Sequence, residues 1–255
     1  MRLLATILAL LFCAKITVAQ GFDWQYSARY PTSSPTRFLG AAVGGGYAIH
    51  QGRLPYLEQD VPVACCTYEN GTGLPLSIVV GYEQWTSANI AVHGMAGYRL
   101  MTAGMSAPPT FDEPLSDGRL LVTQYTYNAN LHYADITGGV RYRLGRSHLS
   151  VGAALRLSLL LGTTATHRLD VISPSDYTFN TNPPSRSIDI PVVGVPDATP
   201  LLVSPLITLG YDISIANGLY LSPLLTIGLP LMNTANGVTW KTGEAAMLLR
   251  VMRAL

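Results

Sequence analysis

Three observations predict an all-β protein, a closed antiparallel up-and-down transmembrane barrel of about eight strands, with ten as the alternative. Hydrophobicity alternates with period two over long runs. The connections between those runs are long and short in turn. Charged residues make up only 12% of the 255-residue chain while 48% are hydrophobic, against roughly 25% charged in an average soluble domain. Mean hydropathy is +0.26, yet no window beyond the N-terminus holds the ~18 consecutive apolar residues of a helical span. Strands that present lipid at every second residue produce that combination.

The chain starts "MRLLATILALLFCAKITVAQ". Arg2 gives a positive start, Leu3 to Phe12 an apolar core, and Thr17-Val18-Ala19 a small-residue exit. Residues 1–19 therefore read as a secretory signal cleaved after Ala19. Its shortness and Lys15 argue against a membrane anchor, and bulky Phe12 before Cys13 argues against a lipoprotein. Residues 20–35 are polar, aromatic and Pro/Ser-rich and read as a periplasmic lead-in. Residues 36–255 form the barrel domain.

The strands follow in order. In "RFLGAAVGGGYAIHQ", Leu39, Ala41, Val43, Tyr47 and Ile49 oppose Gly40, Ala42, Gly44, Gly46 and Ala48. A face this small implies that something large packs against it. In "LSIVVGYEQW", Leu76, Ile78, Val80 and Tyr82 oppose Ser77, Gly81 and Glu83; in "IAVHGMAGYRLMTAG", Ile90, Val92, Ala96, Tyr98 and Leu100 oppose His93, Gly97 and Arg99. The longest run, "RLLVTQYTYNANLHYADITGGVRYRL", is apolar on odd positions up to Tyr133 and on even positions from Ile136. That slip predicts a β-bulge or bend near Tyr133-Ala134. In "LSVGAALRLSLLLGTTATH", Leu149 to Leu161 keep odd parity against Ser150, Gly152, Arg156 and Ser158.

The hairpin "ITLGYDISIANGLYLSPLLTIGLPL", Ile207 to Leu231, keeps Ile207, Leu209, Tyr211, Ile213, Leu221, Leu225 and Ile227 on one face, with Leu224 the exception. Ala-Asn-Gly is its tight turn. "EAAMLLRVMRAL" closes the chain. The short links "TSAN", "GRSH" and "ANG" alternate with long loops near 52–74, 106–118, 170–200 and 233–243, the last holding Trp240. A Greek-key sandwich has no reason to sort its connections this way, and its strands average only about 5–6 residues.

The polar face carries Glu83, Arg99, Asp135, Arg141, Arg143, Arg156, Asp212, Glu244 and Arg250, each opposite an apolar row. Lysine is nearly absent. A solvated surface favours Lys and Glu, whereas arginine among small residues suits the inside of a narrow barrel. There the guanidinium fork bridges carboxylates from neighbouring strands. The expectation is an ion-pair network that fills the lumen, with small residues of the first strand leaving room for the long side chains. A solvated outer face and a channel lining are the alternatives.

Chemistry is sparse. The five histidines show no metal-ligand spacing. His93 and His132 are expected to face the lumen as hydrogen-bonded interior residues. "GAAVGGGYA" lies within a strand and reads as barrel packing. Cys65 and Cys66 are adjacent; they can join through a strained eight-membered ring, pair between molecules, or stay reduced. No enzyme, cofactor or metal is expected. The net charge of +1 and the lack of a Lys/Arg run give no argument for nucleic acid.

Signal, alternating strands, loop asymmetry and the terminal strand together resemble the small outer-membrane β-barrel proteins of Gram-negative bacteria, the OmpA/OmpX-like and PorT-like group. The resemblance covers roughly residues 36–255. Members of that group commonly end in an aromatic residue read by the insertion machinery; this chain ends in Leu255, with Val251, Leu249 and Met247 on the same parity and Arg253 interrupting the row. The resemblance implies architecture, not activity. The expected protein is a monomer in the outer membrane with a plugged lumen. Its role would be structural, or interaction of its loops with an extracellular ligand or protein. Its partners would be outer-membrane lipids and the barrel-insertion machinery. A small porin or hydrophobic-solute channel, and a soluble exported β-sandwich, are the competing readings.

Overall fold

A computed structural model describes residues 37–55, 67–115, 117–145, 147–192, 194–216 and 218–255. The signal, the lead-in and Cys65-Cys66 lie outside the described residues. Among the described residues, twelve strands form one antiparallel sheet. They are β1 (Arg37–Pro55), β2 (Thr67–Gly73), β3 (Pro75–Trp85), β4 (Ile90–Ser106), β5 (Thr110–Pro114), β6 (Leu120–Arg143), β7 (Leu149–Ser173), β8 (Ser187–Val192), β9 (Leu201–Tyr211), β10 (Ile213–Ala216), β11 (Leu219–Gly228) and β12 (Thr239–Ala254).

The sheet closes. Neighbours run β1, β3, β4, β6, β7, β9, β11, β12 and back to β1, through ladders such as Ala42↔Arg250 between β1 and β12. That ring has eight staves, not ten. Short strands inside the predicted loops extend existing staves. β2 continues β3 beyond a break at Leu74, pairing with both β1 and β4. β5 borders β6 beyond the end of β4, and β8 borders β7 above β9. β10 continues β9 below a break at Asp212. Closure leaves no sheet edge in the ring, which removes the commonest route to strand-by-strand aggregation.

The strand ends joined by the tight links, Trp85 to Ile90, Arg143 to Leu149 and Ala216 to Leu219, gather on one rim, with both ends of the described chain. There Leu255 N–H donates to the Arg37 carbonyl at 3.0 Å. Gly145 and Gly218 supply the positive φ that these turns require. The strand ends that flank the long connections lie at the other rim.

Which way the side chains point decides what surrounds the barrel. The apolar row of the 207–231 hairpin points outward: Ile207, Leu209, Tyr211, Leu225 and Ile227 are exposed, while Leu224 points in. Leu39, Val43, Ile78, Val80, Val140, Leu155, Leu157, Leu249 and Val251 are exposed as well, and Ile136 reaches 63%. Among the described residues no helix is long and apolar enough to cross a membrane; the strands are what could.

β6 corrects one expectation. Its alternation never slips: Tyr127, Ala129, Leu131, Tyr133, Asp135, Arg141 and Arg143 all point inward. What changes is polarity. From Tyr142 to Ala134 the outer row is apolar and the inner row charged. From His132 to Asn128 the outer row is polar and the inner row is apolar and aromatic. A bulge does occur at this level, but the extra residue is Leu161 on β7, because His132 pairs with Gly162 and Tyr133 with Leu160. The ten-residue step from Tyr142 to His132 covers about 33 Å of strand, or ~25 Å of height at a tilt near 40°, the thickness of an apolar band on a membrane barrel.

Above that level the barrel has an ordinary apolar core. Leu54, Tyr68, Met101, Met105, Tyr127, Leu131 and Trp240 pack there, all nearly inaccessible. Trp240 therefore sits on β12 inside the barrel and not in a loop. Trp85 is likewise internal, clustered with Phe38, Ala91, Tyr220 and Met252 near the turn rim. Phe38 and Tyr220 meet edge to face at 5.6 Å.

Candidate functional site

The lumen is the candidate site. All nine sequence-selected charges lie inside it, and each is less than a tenth exposed. They form two groups at different heights.

The group nearer the turns centres on Arg141 of β6. Its Nη1 donates to both Glu83 oxygens at 3.1 Å, its Nη2 to Asp212 Oδ1 at 2.7 Å, and its Nε to Ser150 at 2.7 Å. Arg250 of β12 donates to Glu83 Oε2 at 2.9 Å and to Ser222 Oγ at 3.3 Å. Ser222 in turn donates to Asp212 at 2.7 Å. Arg143 lies 3.9 Å from Asp212 and 3.8 Å over the Trp85 ring, and it donates to the Ala88 carbonyl at 3.2 Å. Three guanidiniums thus face two carboxylates.

The upper group is balanced. Arg99 of β4 donates to Asp135 at 2.6 Å, to Glu244 at 3.2 Å and to Ser158 at 2.9 Å. Arg156 of β7 pairs with Glu244 and approaches Asp135 at 3.9 Å. Arg99 also lies 4.7 Å from the Tyr133 ring centre. Glu244 on β12 stands three staves from β4 and three from β7, so these bonds cross the barrel instead of following its wall. A buried ion pair is tolerated only when its remaining donors and acceptors are also bonded. The serines supply much of that; in the sequence Ser150 and Ser158 stand on the polar face of β7, but none of the three reads as a member of the network.

Small residues make room, though not where expected. A Cβ at Gly210 would sit 3.1 Å from Arg141 Nη2, and one at Gly228 would sit 2.9 Å from Glu244 Cγ and 3.4 Å from Arg156 Nη2. The glycines of β1 answer a different need. At Gly44 and Gly46 a Cβ would strike the main chain of β12 at Met247 and Ala245. Beside Glu83 and Arg250, Gly40 and Gly81 border a void of only about 10 Å³.

The histidines divide. His93 faces the lumen beside Glu83, its Cα partner on β3. His132 does not; it points out at the end of the apolar band, where Tyr98 donates its hydroxyl to Nδ1 at 2.5 Å. Two more close the lumen above the ion pairs. His50 Nε2 donates to the Thr102 carbonyl at 3.0 Å, which leaves Nδ1 to accept from Thr242 at 2.9 Å and Trp240 at 3.2 Å. Tyr68 donates to His167 Nδ1 at 2.7 Å, and the Tyr127 ring lies 4.9 Å from that imidazole. Burial pushes His167 down to about 4 and pushes the Tyr127 hydroxyl up.

The side chains of this layer were missed because they alternate like a membrane strand turned inside out. The readable signal was the parity change on β6. As for chemistry, every lumen carboxylate accepts from arginine. Among the described residues no group of three or more His, Cys, Asp or Glu is placed to hold a metal ion.

No protein-family model matches the sequence, and no curated protein does. Solved structures that align along most of their length are outer-membrane β-barrels. Neisserial surface protein A is 11% identical over 86% of this chain and 97% of its own, with a TM-score of 0.39. The attachment invasion locus protein Ail of Yersinia pestis is 12% identical over 84% and 99%, at 0.30. The outer-membrane protease OmpT of Escherichia coli is 8% identical over 87% and 98%, at 0.34. Scores this low carry no functional argument. The eight-stave ring stands on its own ladders.

Proposed function

We propose that the chain is an integral outer-membrane barrel whose lumen is plugged by its own side chains. It acts as a structural or surface-interaction protein through its loop rim, and it is neither a channel nor an enzyme. One observation carries this reading: the polarity inversion on β6. An outer row that is apolar over about 25 Å and then polar is what a bilayer of finite thickness selects. The transverse pairs Arg99–Glu244 and Arg156–Glu244, with the apolar core above them, support the plug. A water-filled pore would leave such groups hydrated and separated along the wall. An enzyme on this scaffold would need an acid or base free to exchange protons, and Glu83, Asp135, Asp212 and Glu244 are each held by guanidiniums.

The test is conductance of purified protein in planar bilayers, after carbonate extraction has shown that it stays with the membrane. The expected result is retention without steady single-channel current. Steady current that changes on Arg250→Ala would replace the plug with a channel, and release by carbonate would sink the membrane reading altogether.

A further inference from the structure

The outer wall is not uniform at the height where polarity inverts. The stave made of β2 and β3 is interrupted at Leu74. There Thr102 substitutes for the ladder: its Oγ1 accepts from the Leu74 N–H at 2.8 Å, and its N–H donates to the Leu74 carbonyl at 3.1 Å. Beside this break two outward rows cross neighbouring staves. Thr72 pairs with Gly104, which pairs with Asn128, and Thr102 pairs with Asn130 beyond Leu74. Gly104 has no side chain to fill the floor; a Cβ there would make ordinary contact with Asn128 Oδ1 at 3.4 Å. Tyr47 of β1, half exposed, stands at the other side. The result is a groove of about 340 Å³ on the outside of the barrel, within the range of small-ligand sites.

The lining has a definite chemistry. It offers two carboxamides, three hydroxyls, one of them on the Tyr47 ring, and one leucine, and no charge. A phosphate or sulfate would find no cation to pair with. Asn130 Nδ2 already donates to Thr164 Oγ1 at 3.2 Å; a fully apolar guest would cover the other amide groups without replacing their bonds to water, at a cost of up to about 1–3 kcal/mol for each group so covered. A ring carrying hydroxyls on its edge and C–H groups on its face satisfies both the amides and the tyrosine. The height matters equally. Asn130 lies two residues above His132, at the upper end of the apolar row, so the groove opens where lipid headgroups begin.

We infer that this groove binds the uncharged sugar headgroup of an outer-leaflet glycolipid. The inference rests on the membrane placement proposed above. Leu74, 55% exposed, borders the first segment of the acyl chains. Asn128 and Asn130 bond the sugar hydroxyls, and Tyr47 stacks on the ring.

The test uses full-length protein in phosphatidylcholine nanodiscs doped with a monohexosyl diacylglycerol, or with the same diacylglycerol lacking the sugar. Retained lipid is counted by native mass spectrometry after the discs are stripped. The glycolipid should be retained and the sugar-free lipid lost. Asn128→Ala with Asn130→Ala, or Gly104→Leu, should lower retention at least tenfold while the unheated protein keeps its folded gel mobility. If Gly104→Leu fails to fold, the asparagine pair alone decides, since both side chains are solvent-exposed. Equal retention of both lipids, or retention unmoved by the asparagine variants, would overturn the inference. Free methyl hexoside bound as tightly as the glycolipid would make this a soluble-sugar site and refute the lipid source. A protein released by carbonate fails at the membrane placement, before the groove is tested.

Discussion

Replacing Glu83 with glutamine is the sharpest perturbation of the lumen. Glu83 is 2% exposed and accepts from Arg141 and from Arg250. Without its charge, Arg141, Arg143 and Arg250 share Asp212 alone, and the new amide turns a donor toward a guanidinium. Breaking a buried pair by removing one partner costs about 3–5 kcal/mol, a large part of the ~5–15 kcal/mol that holds a typical domain folded. The assay is urea unfolding of vesicle-inserted protein, followed by the fluorescence of Trp85 and Trp240 and by gel mobility without heating. Asp117→Asn is the control, because its pair with Arg119 joins two half-exposed side chains in a loop and should leave the midpoint unchanged. Glu83→Met combined with Arg250→Met should cost clearly less than the sum of the single changes, since the double variant leaves one fewer unpaired charge. If Glu83→Gln shifts the midpoint no more than Asp117→Asn does, water fills the lumen and the plug reading is wrong.

Other expectations follow from the same packing. His167 is held neutral by burial with a folded pKa of about 4, below its unfolded value of 6.5. Between those values the unfolded chain binds the extra proton, so the contribution is full above pH 6.5 and is lost as pH falls toward 4. Its size is at most about 3 kcal/mol, read as lower amide protection factors in upper β6 and β7 at pH 4 than at pH 7 once each rate is corrected for the pH dependence of intrinsic exchange, and the difference is abolished in His167→Phe. Leu155→Arg, in the middle of the outer apolar band, should cost ~2–4 kcal/mol in vesicles, while Thr166→Arg, above the band, should cost about 0–1; equal costs would contradict the band. Gly228→Val should push Arg156 off Glu244 and destabilise the barrel, whereas Gly237→Ala, at a turn open to solvent, should disturb only its local φ of 72° and leave the lumen pairs intact.

Much of the fold was legible because a membrane barrel writes its two faces into alternate residues. Leu209, Ile227 and their row identify themselves by parity. The charges identify themselves by standing opposite such rows, and Glu83, Arg99, Asp135, Arg141, Arg143, Arg156, Asp212, Glu244 and Arg250 all lie within the lumen. Partner choice was not legible. That Glu244 meets both Arg99 and Arg156 depends on which staves face each other, and a single sequence does not carry the shear of the barrel. The parity change on β6 was visible but admits two causes. A bulge and a change of surrounding solvent look alike until the backbone shows that Asp135, Tyr133 and Leu131 share one face. Short β2, β5 and β8 were hidden because their proline- and glycine-rich surroundings read as loop. His132 was misjudged because a polar residue on a membrane strand suggests the lumen, whereas this one has left the apolar band.

The central claim is that the outer row of β6 meets lipid from Tyr142 to Ala134 and water from Asn130 upward. It can be measured with nitroxide labels placed singly at Tyr142, Val140, Gly138, Ile136, Ala134, His132, Asn130 and Asn128, in a Cys65→Ser, Cys66→Ser background reconstituted in bilayers. Collision with oxygen should peak between Val140 and Ile136, and collision with a water-soluble nickel chelate should rise steeply between His132 and Asn128. A nickel profile equally high at Ile136 and Asn128 would show that no bilayer surrounds the barrel and would contradict the account.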